Sequence, residues 1–339
     1  SAASVIMMDP FTGEILALAN RPTYNPNNGN RARADTRRNR AITDCYEPGS
    51  TFKIVIGVGS LEEKLTRPNT MFDVSKGSIE VGGKTMRDSH RHEALSFTEV
   101  IQKSSNVGSI MVGMRLGKER LFEYARRMGL GQKTGIDLPG EVSGWIYPPE
   151  RWSGTSIGAI SIGQEVAVTP LQMLRAYAAI ANGGFLVTPH VVSKVVSPDG
   201  EVLFASRKNN AERIISGRTA GIFRNILKTV VEEGGTGTEA SVDGNAVAGK
   251  TGTAQMVDPK TKQYSKDKFV SSFVGFVPAE HPRLAMIVVV YQPQAEIYGG
   301  VVAAPVFKKI AQQTLNYLNV PPEADTTKFR VSIGIPANG

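Results

Sequence analysis

The chain opens and closes with short apolar runs that have the length of β-strands. Val5 to Met8 and Gly13 to Ala19 flank the turn sequence Asp9-Pro10-Phe11-Thr12, so these residues predict a β-hairpin. Toward the other end, turn residues separate three more strand-like runs, at 246–256, 270–277 and 284–292. The two ends together therefore contribute the strands of one sheet.

Between these ends, apolar residues recur at helical spacing. The pattern predicts helices or helical regions at 50–64, 96–129, 171–181, 216–233 and, near the end, 305–318. Ser96 with Glu99 forms a capping box, and Thr169-Pro170 places a cap before a proline at the first helical position. The polar segment 20–49 predicts a long loop.

This order of elements predicts an α/β fold, with α and β structure mixed along the chain. We expect a mostly antiparallel sheet built from both chain ends, with flanking helices and a helical lobe at roughly residues 60–165. Residues 1–320 would form one domain, followed by a C-terminal tail at 321–339.

Length and composition are those of a globular protein. The 339 residues are 41% hydrophobic, and the longest apolar run, Leu284 to Tyr291, is too short to span a membrane. The chain begins at Ser1, almost inside an apolar stretch. We therefore expect a fragment of a longer protein, in which a membrane anchor could precede this sequence.

The net charge of +8 does not assign a partner by itself. The densest basic cluster lies at 31–40, and no aromatic residue is interleaved with its arginines, so the sequence does not favour nucleic acid. A solvated loop, or attraction to an anionic polymer or membrane surface, fits better. Cys45 is the single cysteine, which excludes an intrachain disulfide, and we expect it to be a small buried apolar residue.

The motif S-x-x-K, which can place a serine nucleophile one helical turn from a lysine base, occurs twice. Ser50 follows Pro48-Gly49 and opens an apolar helix, so Lys53 lies on the same helix face. Ser265 and Lys268 lie in a charged turn without such a scaffold. A lysine accepts a serine proton only if burial or a neighbouring cation lowers its pKa. An N-cap serine followed by a surface lysine is the alternative interpretation.

Two further motifs could complete such a site. K-T-G occurs at 133–135 in a loop and at 250–252 in a strand-like run. A strand beside a cleft can offer a cation, hydroxyls and N–H groups to a carboxylate, so we prefer Lys250. S-x-N occurs once, at Ser104-Ser105-Asn106, where it either turns a hydroxyl and an amide into a cleft or serves as a local N-cap.

Three other motifs lack the context that their chemistry needs. The phosphate-loop pattern at 244–251 has no helix after it, because Gly252 and Asp258-Pro259 follow. The G-x-S-x-G pattern at 154–158 has no apolar strand before it. A polar stretch could suggest a metal site but offers no distant third ligand, so a solvated turn is favoured for Asp88, His90, His92 and Glu93.

Taken together and in this order, S-x-x-K, S-x-N and K-T-G are the motif set of penicillin-binding proteins and serine β-lactamases. Tyr46 to Lys53 resembles the nucleophile segment of class B penicillin-binding proteins. Gln102 to Val107 resembles the second motif of their division-type (septal) members. Further strings similar to the family occur at 38–41, 134–141, 168–172, 250–254 and 298–307. The resemblance extends over about residues 4–320, nearly the whole chain.

The resemblance implies the penicillin-binding protein/serine β-lactamase-like transpeptidase fold and a peptidoglycan D,D-transpeptidase that cross-links stem peptides with release of D-alanine. Ser50 would be the nucleophile that forms the acyl-enzyme. Lys53 would be its base, with a pKa lowered by burial and by the nearby Lys250. Ser104 would relay the proton to the leaving nitrogen, while Asn106 orients Lys53 and the donor peptide.

The same resemblance implies how the donor would be held. The K-T-G segment would bind the terminal carboxylate through Lys250, Thr251 and Thr253, with Gly252 between the two threonines. The backbone N–H groups of Ser50 and Thr253 would form the oxyanion hole. No metal and no cofactor are implied.

The family also implies partners and a place of action. Expected partners are a D-Ala-D-Ala stem peptide as donor, an amine of a second stem peptide as acceptor, and β-lactam antibiotics. The full-length protein would also meet a membrane-bound glycosyltransferase and divisome proteins, and no nucleic acid. It would lie at the periplasmic or extracytoplasmic face of the bacterial inner membrane, anchored by an N-terminal segment that, with a pedestal domain, is missing here.

Other functions on the same fold stay open as alternatives. A serine β-lactamase needs a base for deacylation, and Glu165, followed by Val166, does not fit the class A motif. Class D enzymes usually carry valine where Asn106 stands. A β-lactam sensor or an idle wall-binding module is the other alternative, although intact Ser50 and Lys53 argue against idleness.

Overall fold

The computed structural model describes residues 2–206, 211–258, 261 and 263–323. Its α-helices are α1 (Arg40–Thr43), α2 (Lys53–Glu62), α3 (Phe97–Gln102), α4 (Asn106–Leu116), α5 (Lys118–Arg127), α6 (Ser156–Ser161), α7 (Pro170–Ala181), α8 (Gly217–Thr229), α9 (Gly299–Val302) and α10 (Ala304–Tyr317). Short 3-10 helices occur at Pro26–Arg31, Ala34–Thr36, Gly49–Phe52, Pro149–Arg151 and Thr238–Ala240.

The strands form one large sheet and several small ribbons. They are β1 (Ala2–Met8), β2 (Ile15–Arg21), β3 (Met71–Asp73), β4 (Ser78–Val81), β5 (Lys84–Arg87), β6 (Ala94–Ser96), β7 (Phe185–Leu186), β8 (Lys194–Val196), β9 (Val202–Ala205), β10 (Glu212–Arg213), β11 (Ala248–Val257), β12 (Tyr264–Val277) and β13 (Leu284–Tyr291). The large sheet is antiparallel throughout, in the order β11-β12-β13-β1-β2. The prediction that both chain ends build one sheet is therefore confirmed.

Both faces of the sheet are covered by helices, which explains why β13 is a nearly continuous apolar run. Ala285 and Ile287 join the core on one face, which includes apolar residues of α2, α7 and α8. Met286 and Val288 alternate with them and join a second core with apolar residues of α10. The 3-10 turn Gly49–Phe52, which leads into α2, lies beside β11 at the edge of this sheet.

Most predicted elements are present, with changes at their ends. The N-terminal hairpin is confirmed by the pairing of β1 with β2. The helix predicted from Ser50 begins as the 3-10 turn Gly49–Phe52 and becomes α-helical at Lys53. The region predicted as helical at 96–129 is divided into α3, α4 and α5. Ser104 and Gly117 separate the three helices, both with positive φ angles (60° and 85°).

Two expectations about surface residues have different outcomes. The arginine-rich segment 31–40 is an exposed loop in which Arg33 pairs with Asp35, and both Arg38 and Arg40 pair with Asp44. Cys45 is exposed, so the expectation of a buried apolar cysteine was wrong. Its exposure follows from its position in an irregular segment between α1 and the 3-10 turn, which residue type alone does not predict.

The predicted domain boundaries stay predictions, and residues 324–339 of the predicted tail lie outside the described residues. Within the ranges that the structure describes, no helix is both long and apolar enough to cross a membrane.

Candidate active site

Ser50 lies on the 3-10 turn Gly49–Phe52, directly before α2. Gly49 has a φ of 55°, which favours glycine, and its N–H donates to the carbonyl of Gly163 at 3.1 Å. Ser50 is half-buried, and within the described part of the chain its hydroxyl has no hydrogen-bond partner. The turn therefore presents an unpaired hydroxyl at a helix N-terminus.

Lys53 lies one turn further on and is fully buried. Its Nζ donates to the Ser104 carbonyl at 2.7 Å, to Asn106 Oδ1 at 3.0 Å and to Ser104 Oγ at 3.2 Å. Burial lowers the pKa of Lys53 to about 7, and the negative charge of Asp88 opposes this effect. A lysine with this pKa is largely neutral at slightly alkaline pH and can then accept a proton.

Ser104 and Asn106 meet Lys53 because the helical region breaks between α3 and α4. Ser104 occupies the break in the left-handed conformation, and Ser105 caps α4 by accepting from the Gly108 N–H at 2.9 Å. Ser104 and Asn106 then face the same lysine from the two sides of the break. The S-x-N tripeptide thus both caps a helix and contacts the buried Lys53.

The sequence analysis favoured a solvated turn for Asp88, which was wrong: Asp88 is half-buried and lines the groove of this site. Its carboxylate accepts from the Ser105 hydroxyl at 2.7 Å, from the Asn106 N–H, and from the Val107 N–H at 3.0 Å. It therefore holds the first turn of α4, where Asn106 begins. A carboxylate that stabilises a helix start is recognised in a sequence when it lies next to the helix. Asp88 lies 18 positions before Asn106, so this signal was absent from the sequence.

The K-T-G segment lies at the start of β11, the edge strand beside the turn that carries Ser50. Lys250 is fully buried; burial, and then the charge of Lys53, hold its pKa well below the usual range. Burial lowers the pKa of Lys53, as predicted, and Asp88 is a charged neighbour that was not predicted. The repulsion between the two lysines is evident in the lowered pKa of Lys250.

Gly252 and Thr253 bring β11 against the nucleophile segment. A Cβ atom on Gly252 would lie 3.0 Å from the Pro48 carbonyl oxygen, so only glycine permits this approach. The Thr253 hydroxyl accepts from the Gly299 N–H at 3.0 Å, which fixes its orientation. The backbone of Thr253 is therefore adjacent to the turn that carries Ser50.

These residues surround one groove with a volume of about 660 Å³. The predicted site residues that line it are Ser50, Ser104, Asn106, Thr251 and Thr253. Lys53 and Lys250 lie behind its surface, fully buried. Sequence reasoning also missed Thr236, which lines the groove and reaches β11 from the loop after α8.

The competing motifs lie outside this arrangement or in unsuitable structure. The prediction of a charged turn at Ser265 and Lys268 was wrong, because both residues lie near the start of strand β12, where the Ser265 hydroxyl donates to Asp267. Thr134 of the other K-T-G binds Glu141 in a loop. The segment 244–251 leads into β11 and not into a helix. In the G-x-S-x-G pattern, Ser156 donates to Glu165 at 2.6 Å. No group of three or more potential ligands for a metal occurs in the described ranges.

Comparisons with known proteins agree with this geometry. The sequence matches the family described as the penicillin binding protein transpeptidase domain over residues 3–312. It is 39% identical over 333 residues to penicillin-binding protein PbpB of Mycolicibacterium smegmatis, covering 95% of this chain and 51% of that protein. It is 37% identical over 328 residues to peptidoglycan D,D-transpeptidase FtsI of Escherichia coli, covering 96% and 53%. The chain thus spans about half the length of these curated relatives.

A solved structure has the same fold. Penicillin-binding protein 3 from Mycobacterium tuberculosis, complexed with ampicillin, matches with a TM-score of 0.90 and 37% sequence identity. The match covers 96% of this chain and 74% of that chain. This likeness and the five-stranded antiparallel sheet confirm the predicted fold class.

Proposed function

Because the chain belongs to the penicillin-binding protein transpeptidase family, we propose that it is the catalytic domain of a peptidoglycan D,D-transpeptidase. Its donor substrate is a stem peptide ending in D-Ala-D-Ala, and its acceptor is an amine of a neighbouring stem peptide. The observation that carries the proposal is the unpaired Ser50 hydroxyl beside a buried lysine whose pKa is about 7.

In the first step, Ser50 Oγ attacks the carbonyl between the two D-alanines. Neutral Lys53 keeps two N–H donors, which the Ser104 carbonyl and Asn106 Oδ1 accept, and its lone pair is then available for the Ser50 proton. Asn106 thereby orients the base. The Ser104 hydroxyl, 3.2 Å from the same nitrogen, passes the proton to the leaving nitrogen of D-alanine.

Charge on the substrate is stabilised from β11. Lys250, Thr251 and Thr253 hold the terminal carboxylate, while Gly252 allows the strand to approach. The N–H groups of Ser50 and Thr253 stabilise the oxyanion, and loss of one such donor typically costs about 3–4 kcal/mol of transition-state stabilisation. The contact between the Gly49 and Thr253 backbones supports this pairing, since a Cβ on Gly49 would lie 3.1 Å from the Thr253 carbonyl oxygen.

In the second step, the acceptor amine attacks the acyl-enzyme ester, forms the new amide bond and releases Ser50, which regains its proton. β-Lactams would acylate Ser50 in the same way and leave slowly. We also assign the septal branch of wall synthesis, because Gln102 to Val107 resembles division-type members. The work would then take place outside the cytoplasmic membrane, where the full-length protein would meet a glycosyltransferase and divisome proteins.

The test is the intact mass of the protein after incubation with benzylpenicillin. We expect one adduct on the wild-type chain, none on Ser50→Ala and a normal adduct on Ser265→Ala, the matched control from the second S-x-x-K motif. Retention of the adduct by Ser50→Ala would exclude Ser50 as the nucleophile.

A second measurement separates a transpeptidase from a hydrolase. The purified chain, given a D-Ala-D-Ala peptide and an acceptor amine, should release D-alanine and form the cross-linked product. Rapid turnover of benzylpenicillin with no lasting adduct would instead indicate a β-lactamase. The structure does not favour that outcome, because the Glu165 carboxylate accepts from Ser156 and Glu165 is not among the described groove-lining residues.

A further inference from the structure

Two threonine hydroxyls connect the buried Lys250 to the groove. Lys250 Nζ donates to Thr251 Oγ1 at 3.3 Å, and Thr251 Oγ1 lies 2.8 Å from Thr236 Oγ1. Thr251 is only 7% exposed, whereas Thr236 is exposed and lines the groove. A ligand in the groove therefore meets the outer end of this chain before it meets the lysine.

The number of protons in the hydrogen-bonded series Lys250–Thr251–Thr236 determines whether Thr236 can donate a hydrogen bond to a ligand. A hydroxyl can donate one proton and accept at two lone pairs. The N–H that Lys250 donates occupies one lone pair of the Thr251 hydroxyl, and the Thr251 proton stays free to be donated. One proton lies between the two threonine oxygens, so one hydroxyl proton of the pair is left for a third acceptor. Donation from the buried Thr251 to Thr236 leaves that proton on the exposed Thr236. Each donor in such a chain is strengthened by the one behind it.

The backbone around Thr236 is fixed by contacts that do not involve the hydroxyl. The Gly237 N–H donates to the Val230 carbonyl at 2.9 Å. A Cβ on Gly300 would lie 2.3 Å from the Thr236 carbonyl oxygen, so α9 packs directly against this loop. Removing the hydroxyl alone should therefore leave the loop in place.

We infer that Thr236 is a carboxylate-binding residue of the site, which donates a hydrogen bond to the terminal carboxylate of the donor peptide or of a β-lactam. The inference rests on the proposed function, because it assumes that such a carboxylate is bound beside Thr251 and Thr253. The segment 230–237 after α8 thus contributes to substrate recognition, together with the S-x-x-K, S-x-N and K-T-G motifs.

The experiment compares acylation of Thr236→Val, Thr236→Ser and the control Thr85→Val. Thr85 is exposed on β5 and is not among the described groove-lining residues. The second-order rate constant is measured with benzylpenicillin and with its methyl ester, which lacks the carboxylate. Because hydrogen bonds to charged groups are strong, we expect Thr236→Val to lose about 10- to 100-fold with benzylpenicillin. Its rate with the ester should equal that of the wild-type chain.

The other variants complete the design. Thr236→Ser should restore most of the rate with benzylpenicillin, and Thr85→Val should change neither rate. An equal loss with both compounds would mean a structural role and overturn the inference, as would an unchanged rate in Thr236→Val. A wild-type chain that forms no adduct would overturn the proposed function as well, whereas a normal wild-type rate with an unaffected Thr236→Val overturns this inference alone.

Discussion

The carboxylate of Asp88 raises the pH at which Lys53 becomes neutral, and the substitution Asp88→Asn tests this directly. Burial lowers the pKa of Lys53 to about 7, and Asp88 opposes the effect. Asparagine keeps an acceptor oxygen for the N–H groups of Asn106 and Val107 but carries no charge. The variant should therefore fold normally while the pKa of Lys53 falls further.

The size of the shift follows from the path between the two charges. Lys53 Nζ lies 3.0 Å from Asn106 Oδ1, and the Asn106 N–H donates to Asp88. Two hydrogen bonds and the asparagine between them put the charges on the order of 7 Å apart, where unit charges interact by about 1.2–2.4 kcal/mol at an effective dielectric of roughly 20–40, which corresponds to about 1–1.7 pH units. Only neutral lysine accepts the serine proton, so the rate rises with pH below the pKa and levels off above it. The inflection should thus move from near pH 7 in the wild-type chain to about pH 6 or lower in the variant.

The assay is the second-order rate constant for acylation by benzylpenicillin between pH 5 and pH 9, since this constant reports the pKa of the free enzyme. Below pH 6.5 the variant should react several-fold faster than the wild-type chain, and near pH 8 equally fast. Glu239→Gln is the control, because it removes a carboxylate that also lines the groove but is not among the charges acting on Lys53. An inflection that stays in place or rises in a folded Asp88→Asn variant would refute the reasoning.

Three further outcomes are expected. Gly163→Ala should lower the free energy of unfolding by about 2 kcal/mol or more, because its Cβ would lie 2.1 Å from the Gly49 carbonyl oxygen. Gly183→Ala is the control, since Gly183 is equally left-handed but its Cβ would lie in open space. It should lose only about 1 kcal/mol in the same thermal or urea unfolding. Cys45 is exposed, although burial of part of its side chain raises the pKa of its thiol. A thiol reagent at alkaline pH should therefore modify it fully while the rate of acylation by benzylpenicillin stays unchanged, whereas incomplete modification would contradict its exposure. Burial raises the pKa of the Glu47 carboxyl in the folded chain above its value in the unfolded chain. The free energy of unfolding of the wild-type chain should therefore fall as pH rises from about 4.5 through that raised pKa. In the same urea unfolding measurements, Glu47→Gln should lose less stability over this pH range.

The sequence allowed prediction of those parts of the fold that local patterns determine. The hairpin of β1 and β2, the capping box at Ser96, the cap at Thr169, and the strands β11 to β13 all follow from periodicity and end signals. Each of these signals lies within a few residues of the structure it specifies. The small ribbons at 71–96 and 185–213 were not predicted, because their strands have only two to four residues, too few for a period.

The arrangement within the site depended on contacts that are distant in sequence. Ser104 adopts a left-handed conformation between two helices, and Asp88 stabilises the second of them from another part of the chain. The pKa of Lys53 could be expected to fall on burial, but the charge that opposes the fall belongs to Asp88. The order of the motifs was enough to predict which residues share one site. It did not show which charges act on Lys53.

The glycines of the site show how four chain segments come to share one groove. The carbonyl oxygen of Gly252 would lie 2.4 Å from a Cβ on Gly299, just as Gly163 abuts Gly49. Side chains therefore do not separate the nucleophile turn, the loop at 163–165, strand β11 and helix α9; their backbones touch. Such contacts leave no room for sliding, and small displacements of catalytic groups are costly. The precision of Ser50 relative to Thr253 thus depends on backbone packing, which is why a substitution that removes no functional group, such as Gly163→Ala, should still reduce acylation.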